Sequence, residues 1–261
     1  MGLPETENKD QRTLLWGASL LLFFLLMLLT PAITKNQSQH AFADQRNFLG
    51  FPNTLNVFST FPYLVIGCIG TVLCAQGNYF GFSSQGEVWG WTWFFVGITA
   101  SAFGSAYYHL RPSDSRFVWD CLPMAYAFAS IVAVFVVEKR DELKGPKSFV
   151  PLLLAASATA TYWWFADDMQ LFALLQFIPS VAIPAMTVAL PPKYTQSWYW
   201  MWAAGMYLLA KLAEAFDSRV YHWTRFLVSG HTVKHLSTAM VPVFLMIMLA
   251  PPNVKIERLT V

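Results

Sequence analysis

Residues 54–75 read TLNVFSTFPYLVIGCIGTVLCA, a stretch that contains no Asp, Glu, Lys or Arg. A helix of about 20 apolar residues spans the hydrocarbon core of a bilayer, so this stretch predicts a membrane-spanning helix. Seven other stretches are also long and predominantly apolar. The eight predicted helices cover residues 14–33, 54–75, 88–108, 117–137, 149–166, 171–190, 198–216 and 231–250. The pattern predicts an all-α fold, a polytopic membrane helical bundle.

The composition agrees with a membrane protein. Of the 261 residues, 56% are hydrophobic and only 12% are charged, whereas a soluble domain carries about 25% charged residues. So few charges cannot cover the surface of a water-soluble protein of this size, and apolar surface must therefore face lipid. The same figures exclude a disordered chain and a nucleic-acid-binding protein. The three cysteines form no CxxC pair, and we interpret them as buried small side chains.

The predicted loops are too short to hold a separate domain. We divide the chain into an N-terminal tail with an extra helix (1–34), a domain of seven further helices (35–250) and a C-terminal tail (251–261). The apolar stretch at 14–33 exceeds the core of about 7–15 residues typical of signal peptides, which favours a retained helix over a cleaved one. Lys and Arg are more numerous on the side that holds both termini, nine against six, which predicts cytoplasmic termini.

Ionisable residues inside apolar helices indicate function, because burying them in hydrocarbon is costly. Ser105 and His109 lie four residues apart at the end of one predicted helix, and Asp120 lies about one turn inside the next. His231 and His235 lie four residues apart at the start of the last predicted helix. Residues four apart share one helix face, and all three helix ends are predicted on the same side of the membrane. We therefore expect these side chains to converge.

Three histidines in this arrangement suit a zinc site with an open fourth position. A water on such a zinc ion ionises near pH 7 and can attack a carbonyl. In that chemistry Ser105 would donate a hydrogen bond to the developing oxyanion, and Asp120 would carry the proton or orient the water.

Each of these residues also has a simpler interpretation. An HxxxH pair can lie at the membrane interface, and Ser105 belongs to a run of small residues suited to helix packing. Asp120 could pair with Arg116, four residues earlier. The combination of all three features favours a site over three unrelated structural roles. The remaining histidines, His40 and His222, fall in predicted loops, where we expect solvated side chains.

Three strings carry the pattern: GSAYYH at 104–109, WDCLPM at 119–124 and SGHTVKH at 229–235. They resemble the motifs of the alkaline ceramidase family, which belongs to a superfamily of seven-helix membrane hydrolases and receptors that includes the adiponectin and progestin receptors. The resemblance runs from about residue 44 to residue 235 and takes in DQR at 44–46, NTLNVFSTFP at 53–62 and AKLAEAFD at 210–217. It implies a zinc-dependent amidase in which His109, His231 and His235 bind zinc, Ser105 stabilises the transition state and Asp120 carries the proton.

The chain departs from the family pattern in one respect. The ceramidases carry a calcium-binding cluster of acidic residues before the first core helix, whereas residues 40–52 contain only Asp44 and no Glu. The calcium site of the family is therefore not evident here. Lys211, Glu214 and Asp217 are spaced three apart on one helix stripe. We interpret them as a structural Lys–Glu pair locking two helices, with Asp217 near the lumenal end; a role beneath the metal is the alternative.

Together these features predict a zinc-dependent hydrolase in the endomembrane system (ER or Golgi) or the plasma membrane, with its site toward the lumen or exterior. It would cleave ceramide or a related N-acyl lipid to a fatty acid and a sphingoid base, so its partner is a membrane lipid and not a nucleic acid. A first alternative is a receptor of the same superfamily with a structural zinc ion. A second is an intramembrane serine protease with Ser105 as nucleophile. A third is a transporter or scaffold that uses Lys211, Glu214 and Asp217.

Overall fold

The computed structural model describes residues 5–34, 40–76, 79–82, 84–139, 145–190, 192 and 194–250. Regular structure in these ranges is helical, apart from an isolated bridge between Phe48 and Phe51. The short helices are α2 (Thr54–Phe58) and α9 (Asp217–Trp223). The longer helices are α1 (Glu5–Leu29), α3 (Phe61–Ala75), α4 (Gln85–Leu110), α5 (Asp114–Lys139), α6 (Gly145–Ala166), α7 (Gln170–Ala189), α8 (Tyr199–Ala215) and α10 (Gly230–Leu249). The predicted all-α bundle is confirmed, whereas the C-terminal tail predicted at 251–261 lies outside the described residues.

One of the predicted helices is divided in two. Residues 54–75 form α2 and α3, with a turn at Ser59 and Thr60 between them. Pro62 explains the break, because a proline nitrogen carries no hydrogen and cannot donate to the carbonyl of Phe58, four residues earlier. The turn places the Ser59 side chain against His235 of α10.

Within the part of the chain that the structure describes, five segments are long and apolar enough to cross a membrane: Thr54–Ala75, Asp114–Val137, Phe149–Ala166, Gln170–Ala189 and Gly230–Leu249. Large apolar side chains also project outward from the bundle, among them Leu28 at 82% exposure and Phe165 at 82%. Contiguous exposed apolar surface of this kind is expected where a protein faces lipid. The chain is accordingly a multi-pass membrane protein.

Side-chain caps fix the starts of the two helices that carry the histidines, α4 and α10. The Ser84 hydroxyl accepts a hydrogen bond from the backbone N–H of Glu87 at the start of α4 (3.3 Å). The Ser229 hydroxyl accepts one from the N–H of Thr232 at the start of α10 (3.1 Å). Such caps satisfy N–H groups that have no partner within the helix. In α10 the capped turn is the one that carries His231.

Two glycines allow helices to approach closely at one end of the bundle. A Cβ at Gly104 would collide with the backbone carbonyl of Trp119, so α4 and α5 could not pack as they do. A Cβ at Gly230 would collide with the carbonyl of Ala213, where α10 meets α8. Gly104 is next to Ser105 and packs on Trp119, which precedes Asp120, and Gly230 is next to His231. The close packing therefore positions the candidate site.

The N-terminal helix is attached to the rest of the bundle through its C-terminal end. The Gln170 side-chain amide donates hydrogen bonds to the carbonyls of Met27 and Thr30, each at 3.0 Å. The Asp168 carboxylate accepts from the backbone N–H of Ile33 (2.9 Å). The bonds from Gln170 satisfy carbonyls that the end of α1 leaves without helical partners. Together with the bond from Ile33 to Asp168, they seat the end of α1 beside α7.

Candidate metal centre

Three histidines from two helices meet at one end of the bundle. His109 lies in the last turn of α4, and His231 and His235 lie in the first two turns of α10. Nε2 of His109 lies 3.3 Å from Nε2 of His231 and 3.3 Å from Nε2 of His235. All three side chains are buried, and their ligand atoms lie within 4.8 Å of one another. The convergence expected from the sequence is therefore present.

The spacing of these nitrogens suits a transition-metal ion. Zinc binds imidazole nitrogens at about 2.0–2.1 Å in tetrahedral geometry, which separates two ligand nitrogens by about 3.3 Å. His109 has this separation from both other histidines. Imidazole sets also suit copper, iron and nickel. The group can thus hold a metal ion, and zinc is one of the ions that it fits.

A hydrogen bond from Ser59 orients the ring of His235. The Ser59 hydroxyl lies 2.7 Å from Nδ1 of His235 and donates its own hydrogen to the carbonyl of Asn56 (3.1 Å). With that hydrogen directed at Asn56, the Ser59 oxygen can accept the hydrogen of Nδ1, and in that tautomer Nε2 of His235 presents its lone pair to the cluster. Ser59 belongs to the string at 53–62, but sequence reasoning gave it no role.

Asp217 holds the backbone of His231. Its Oδ1 atom accepts a hydrogen bond from the N–H of His231 (2.7 Å), and its Oδ2 atom accepts one from the N–H of Ala43 (2.9 Å). The preferred interpretation placed Asp217 only near the lumenal end of the stripe, and these contacts instead agree with the alternative of a role beneath the histidine cluster. Helix α8 ends at Ala215, so Asp217 begins α9, and its carboxylate bonds to the first turn of α10.

The Lys–Glu pair expected on α8 is present and has an additional member. Glu214 accepts hydrogen bonds from Lys211 (3.0 Å) and from Lys234 of α10 (2.5 Å). Lys234 thereby supplies the connection between helices that the sequence pattern left unspecified. The three charges join α8 to α10 beside the histidines and stabilise the approach of these helices.

The backbone and surroundings of His109 are also fixed. Its carbonyl accepts a hydrogen bond from the side-chain amide of Asn53 (2.9 Å), a residue in the left-handed region with φ of 50°. Its ring nitrogen Nδ1 is buried without a hydrogen-bond partner among the described residues. The position of the ring consequently depends on Nε2 and on packing with Phe42, whose ring centre lies 4.8 Å away.

Ser105 and Asp120 form a polar pair deeper in the bundle. Both side chains are buried, and the Ser105 hydroxyl donates a hydrogen bond to the Asp120 carboxylate. Ser105 lies one turn before His109 on α4 and so faces the same side of that helix. The alternative pairing of Asp120 with Arg116 is not observed, because Arg116 lies over the ring of Tyr107 and donates to its carbonyl.

A segment before the first core helix covers the histidines, and we call residues 40–46 the cap. Phe42 is 6% exposed, and its ring lies 4.8 Å from that of His109 and 4.7 Å from that of His231. His40 contacts the hydroxyl of Tyr108 (2.9 Å) and the carboxylate of Asp114 (3.0 Å). The expectation that His40 is simply solvated is therefore wrong, whereas His222 is exposed as expected.

Asp44 and Arg46 attach the other end of the cap. The Arg46 guanidinium donates to both carboxylate oxygens of Asp44 (2.8 and 2.7 Å) and to the carbonyl of Leu227 (2.7 Å). Burial raises the pKa of the Asp44 carboxyl, but the hydrogen bonds from Arg46 outweigh burial and leave the pKa below its ordinary value of 3.8. The only acidic residue of the 40–52 segment is therefore paired with a cation from its own chain.

Comparison with known proteins adds no family assignment. No protein-family model matches the sequence, and no curated protein matches it. The geometry of the three histidines, the Ser105–Asp120 pair and the apolar helices is therefore the basis for a function.

Proposed function

We propose that the chain is a zinc-dependent intramembrane amidase that hydrolyses ceramide or a related N-acyl lipid to a fatty acid and a sphingoid base. The observation that carries the proposal is the buried cluster of three imidazole Nε2 atoms, with His109 at 3.3 Å from both other histidines. The cluster lies one helical turn from the Ser105–Asp120 pair. A metal-binding histidine cluster beside a hydroxyl donor and a carboxylate fits hydrolysis of a carbonyl compound best.

The three histidines would hold the zinc ion, which supplies Lewis acidity and lowers the pKa of a water for attack on the amide carbonyl. Ser105 donates its hydroxyl hydrogen to Asp120. If that hydroxyl rotates toward a bound amide, it stabilises the negative charge that develops on the carbonyl oxygen. The Asp120 carboxylate then takes a proton from the attacking water and passes it to the amide nitrogen as the C–N bond breaks.

The orientation of Ser105 also bears on the serine protease alternative. A serine nucleophile with a histidine base requires the imidazole to accept the hydroxyl hydrogen, whereas in this chain the acceptor is the Asp120 carboxylate. The Nε2 atom of His109, which a protease mechanism would need, faces the other two histidines instead. The arrangement supports a role for Ser105 as a hydrogen-bond donor.

The apolar lining of a small cavity inside the bundle is compatible with a lipid substrate. A cavity of about 60 Å³ opens between α5, α7 and α8, with Ile131, Ile183 and Ala203 in its lining. Pro179 and Pro184 interrupt the hydrogen-bond ladder of α7 beside it, and prolines in this position bend a helix. An acyl chain reaching the site from the bilayer would lie against such a surface.

The proposal is tested by incubating the purified full-length chain with a ceramide in mixed micelles and measuring the released sphingoid base. We expect release by the wild type, and a loss of about 100-fold or more in Ser105→Ala. Zinc bound by the wild type without release from any N-acyl lipid would instead favour the receptor alternative. Release that survives removal of zinc would overturn the zinc-dependent mechanism.

A further inference from the structure

We propose that Asp217 is a positioning residue that couples the cap to the helix bearing His231 and His235, so that a divalent ion in the histidine cluster closes the cap. This inference rests on the proposed metal centre. It goes beyond the proposed reaction, because it assigns a conformational response to metal binding and names the residue that transmits it.

The two oxygens of Asp217 serve different parts of the chain. Oδ1 accepts the N–H of His231, in the first turn of α10, and Oδ2 accepts the N–H of Ala43 in the cap. Ala43 is next to Phe42, whose ring lies against the rings of His109 and His231. One carboxylate thus bridges a ligand residue and the neighbour of the side chain that covers the ligands.

The cap has further contacts at its two ends. At one end His40 bonds to Tyr108 and Asp114, which belong to α4 and α5. At the other end Arg46 bonds to the carbonyl of Leu227, in the turn before α10. In the middle of the cap, Phe42 packs on the rings of His109 and His231, and the carbonyl of Asp44 accepts a hydrogen bond from Asn56 (3.3 Å), whose side-chain oxygen accepts one from Thr232. Among the described residues, the hydrogen bond from Ala43 to Asp217 reaches the backbone of a ligand residue through a single side chain.

The direction of the coupling follows from linkage. An ion that binds His231 fixes the first turn of α10, which holds Asp217 in the position that accepts the N–H of Ala43. Closure of the cap then favours ion binding by the same factor, because coupling between two equilibria is reciprocal. The closed cap places Phe42 between the histidines and bulk water, which strengthens electrostatic interactions within the site.

The coupling is measured by hydrogen exchange of the cap amides in the purified full-length protein, with zinc bound and after chelation. We expect zinc to slow exchange of the Ala43 amide by about 10-fold or more in the wild type. Asp217→Asn keeps only one acceptor oxygen, so it loses the zinc-dependent slowing. It also weakens zinc binding roughly 10-fold, as is usual for partners that orient metal ligands. The absorption spectrum of the cobalt-loaded protein reports whether the ligand geometry itself is altered.

Asp168→Asn is a matched control. The Asp168 carboxylate also accepts two backbone N–H groups, from Ile33 and from Gln170, each at 2.9 Å. This variant should keep the zinc-dependent protection of the cap. Ala43→Pro is a second test, since it removes the N–H of the cap while leaving Asp217 bonded to His231; it should abolish the zinc-dependent slowing around residue 43.

The outcomes separate this inference from the proposed function. Zinc bound to the wild type with no change in cap exchange would overturn the coupling and leave the metal centre in place. Full zinc-dependent protection in Asp217→Asn and Ala43→Pro would overturn the role of Asp217. Absence of zinc binding by the wild type would overturn both proposals.

Discussion

Nε2 of His109 lies 3.3 Å from Nε2 of His235, although 126 residues separate the two histidines in the chain. In a buried site, imidazole nitrogens this close together have few hydrogen-bond donors available to them. A cation bound between them satisfies their lone pairs. Helices α2 and α3 pack against both α4 and α10, and this packing produces the proximity. Residues that orient the histidines should therefore affect zinc binding, as should the histidines themselves.

Ser59→Ala should weaken zinc binding by roughly 10–100-fold, because the ring of His235 loses the acceptor that orients it. The fold should persist, since the change removes one hydroxyl. Competition with a chelator of known affinity measures the effect. Thr60→Ala is the matched control: Thr60 is also buried, and its hydroxyl donates to the carbonyl of Val57, away from the histidines. Equal zinc affinity in Ser59→Ala and wild type would contradict the role of Ser59.

Gly104→Ala should destabilise the protein by about 1–3 kcal/mol, because the new methyl group meets the backbone carbonyl of Trp119 and separates α4 from α5. Thermal unfolding in detergent measures the change. Gly205→Ala is the control, since its Cβ meets no atom within 4 Å; a helical alanine there should leave stability unchanged or raise it by up to about 1 kcal/mol. Similar unfolding temperatures for the two variants would contradict the close approach of α4 and α5 at Gly104.

Ser105→Ala and Asp120→Asn should both slow amide hydrolysis while zinc remains bound. Loss of an oxyanion donor typically costs about 100–1,000-fold in turnover, and Asn at position 120 cannot accept a proton. Product release and zinc content are measured on the same preparations. Full turnover by Asp120→Asn with normal zinc content would show that Asp120 is not the proton carrier.

The Asp44–Arg46 pair should stabilise the protein in a pH-dependent way. The folded-state pKa of Asp44 lies below its ordinary value of 3.8, so its stabilising contribution is present above that value and is lost as the pH falls through the folded-state pKa. Asp44→Asn should therefore unfold at a lower temperature than the wild type at pH 7, and the gap should narrow below about pH 4. A gap that stays constant down to pH 3 would contradict this assignment.

Helical spacing was sufficient to predict the bundle and the cluster of histidines. His231 and His235 share a face because they lie four residues apart, and the order of helix ends placed His109 on the same side. The turn that divides residues 54–75 at Ser59 was not predicted, because composition alone does not distinguish a broken helix from a continuous one. Pro62 was the available signal.

The cap could not be predicted from the sequence, because its contacts join residues that are far apart in the chain. Ala43 bonds to Asp217 across 174 residues, and no periodic pattern specifies which loop covers a helix end. Asp217 was also misplaced on the α8 stripe, because helical periodicity was extended past Ala215, where α8 ends. Loop conformation depends on individual hydrogen bonds, whereas helix position depends on the more regular distribution of apolar residues.

The zinc content per chain of the detergent-purified protein tests the central claim most directly, measured beside His231→Ala and the control His222→Ala. His222 is an exposed histidine of α9, outside the cluster. The account predicts about one zinc ion in the wild type and in His222→Ala, and none retained in His231→Ala. A wild-type chain without metal, or a His231→Ala chain with its zinc intact, would contradict the three-histidine centre.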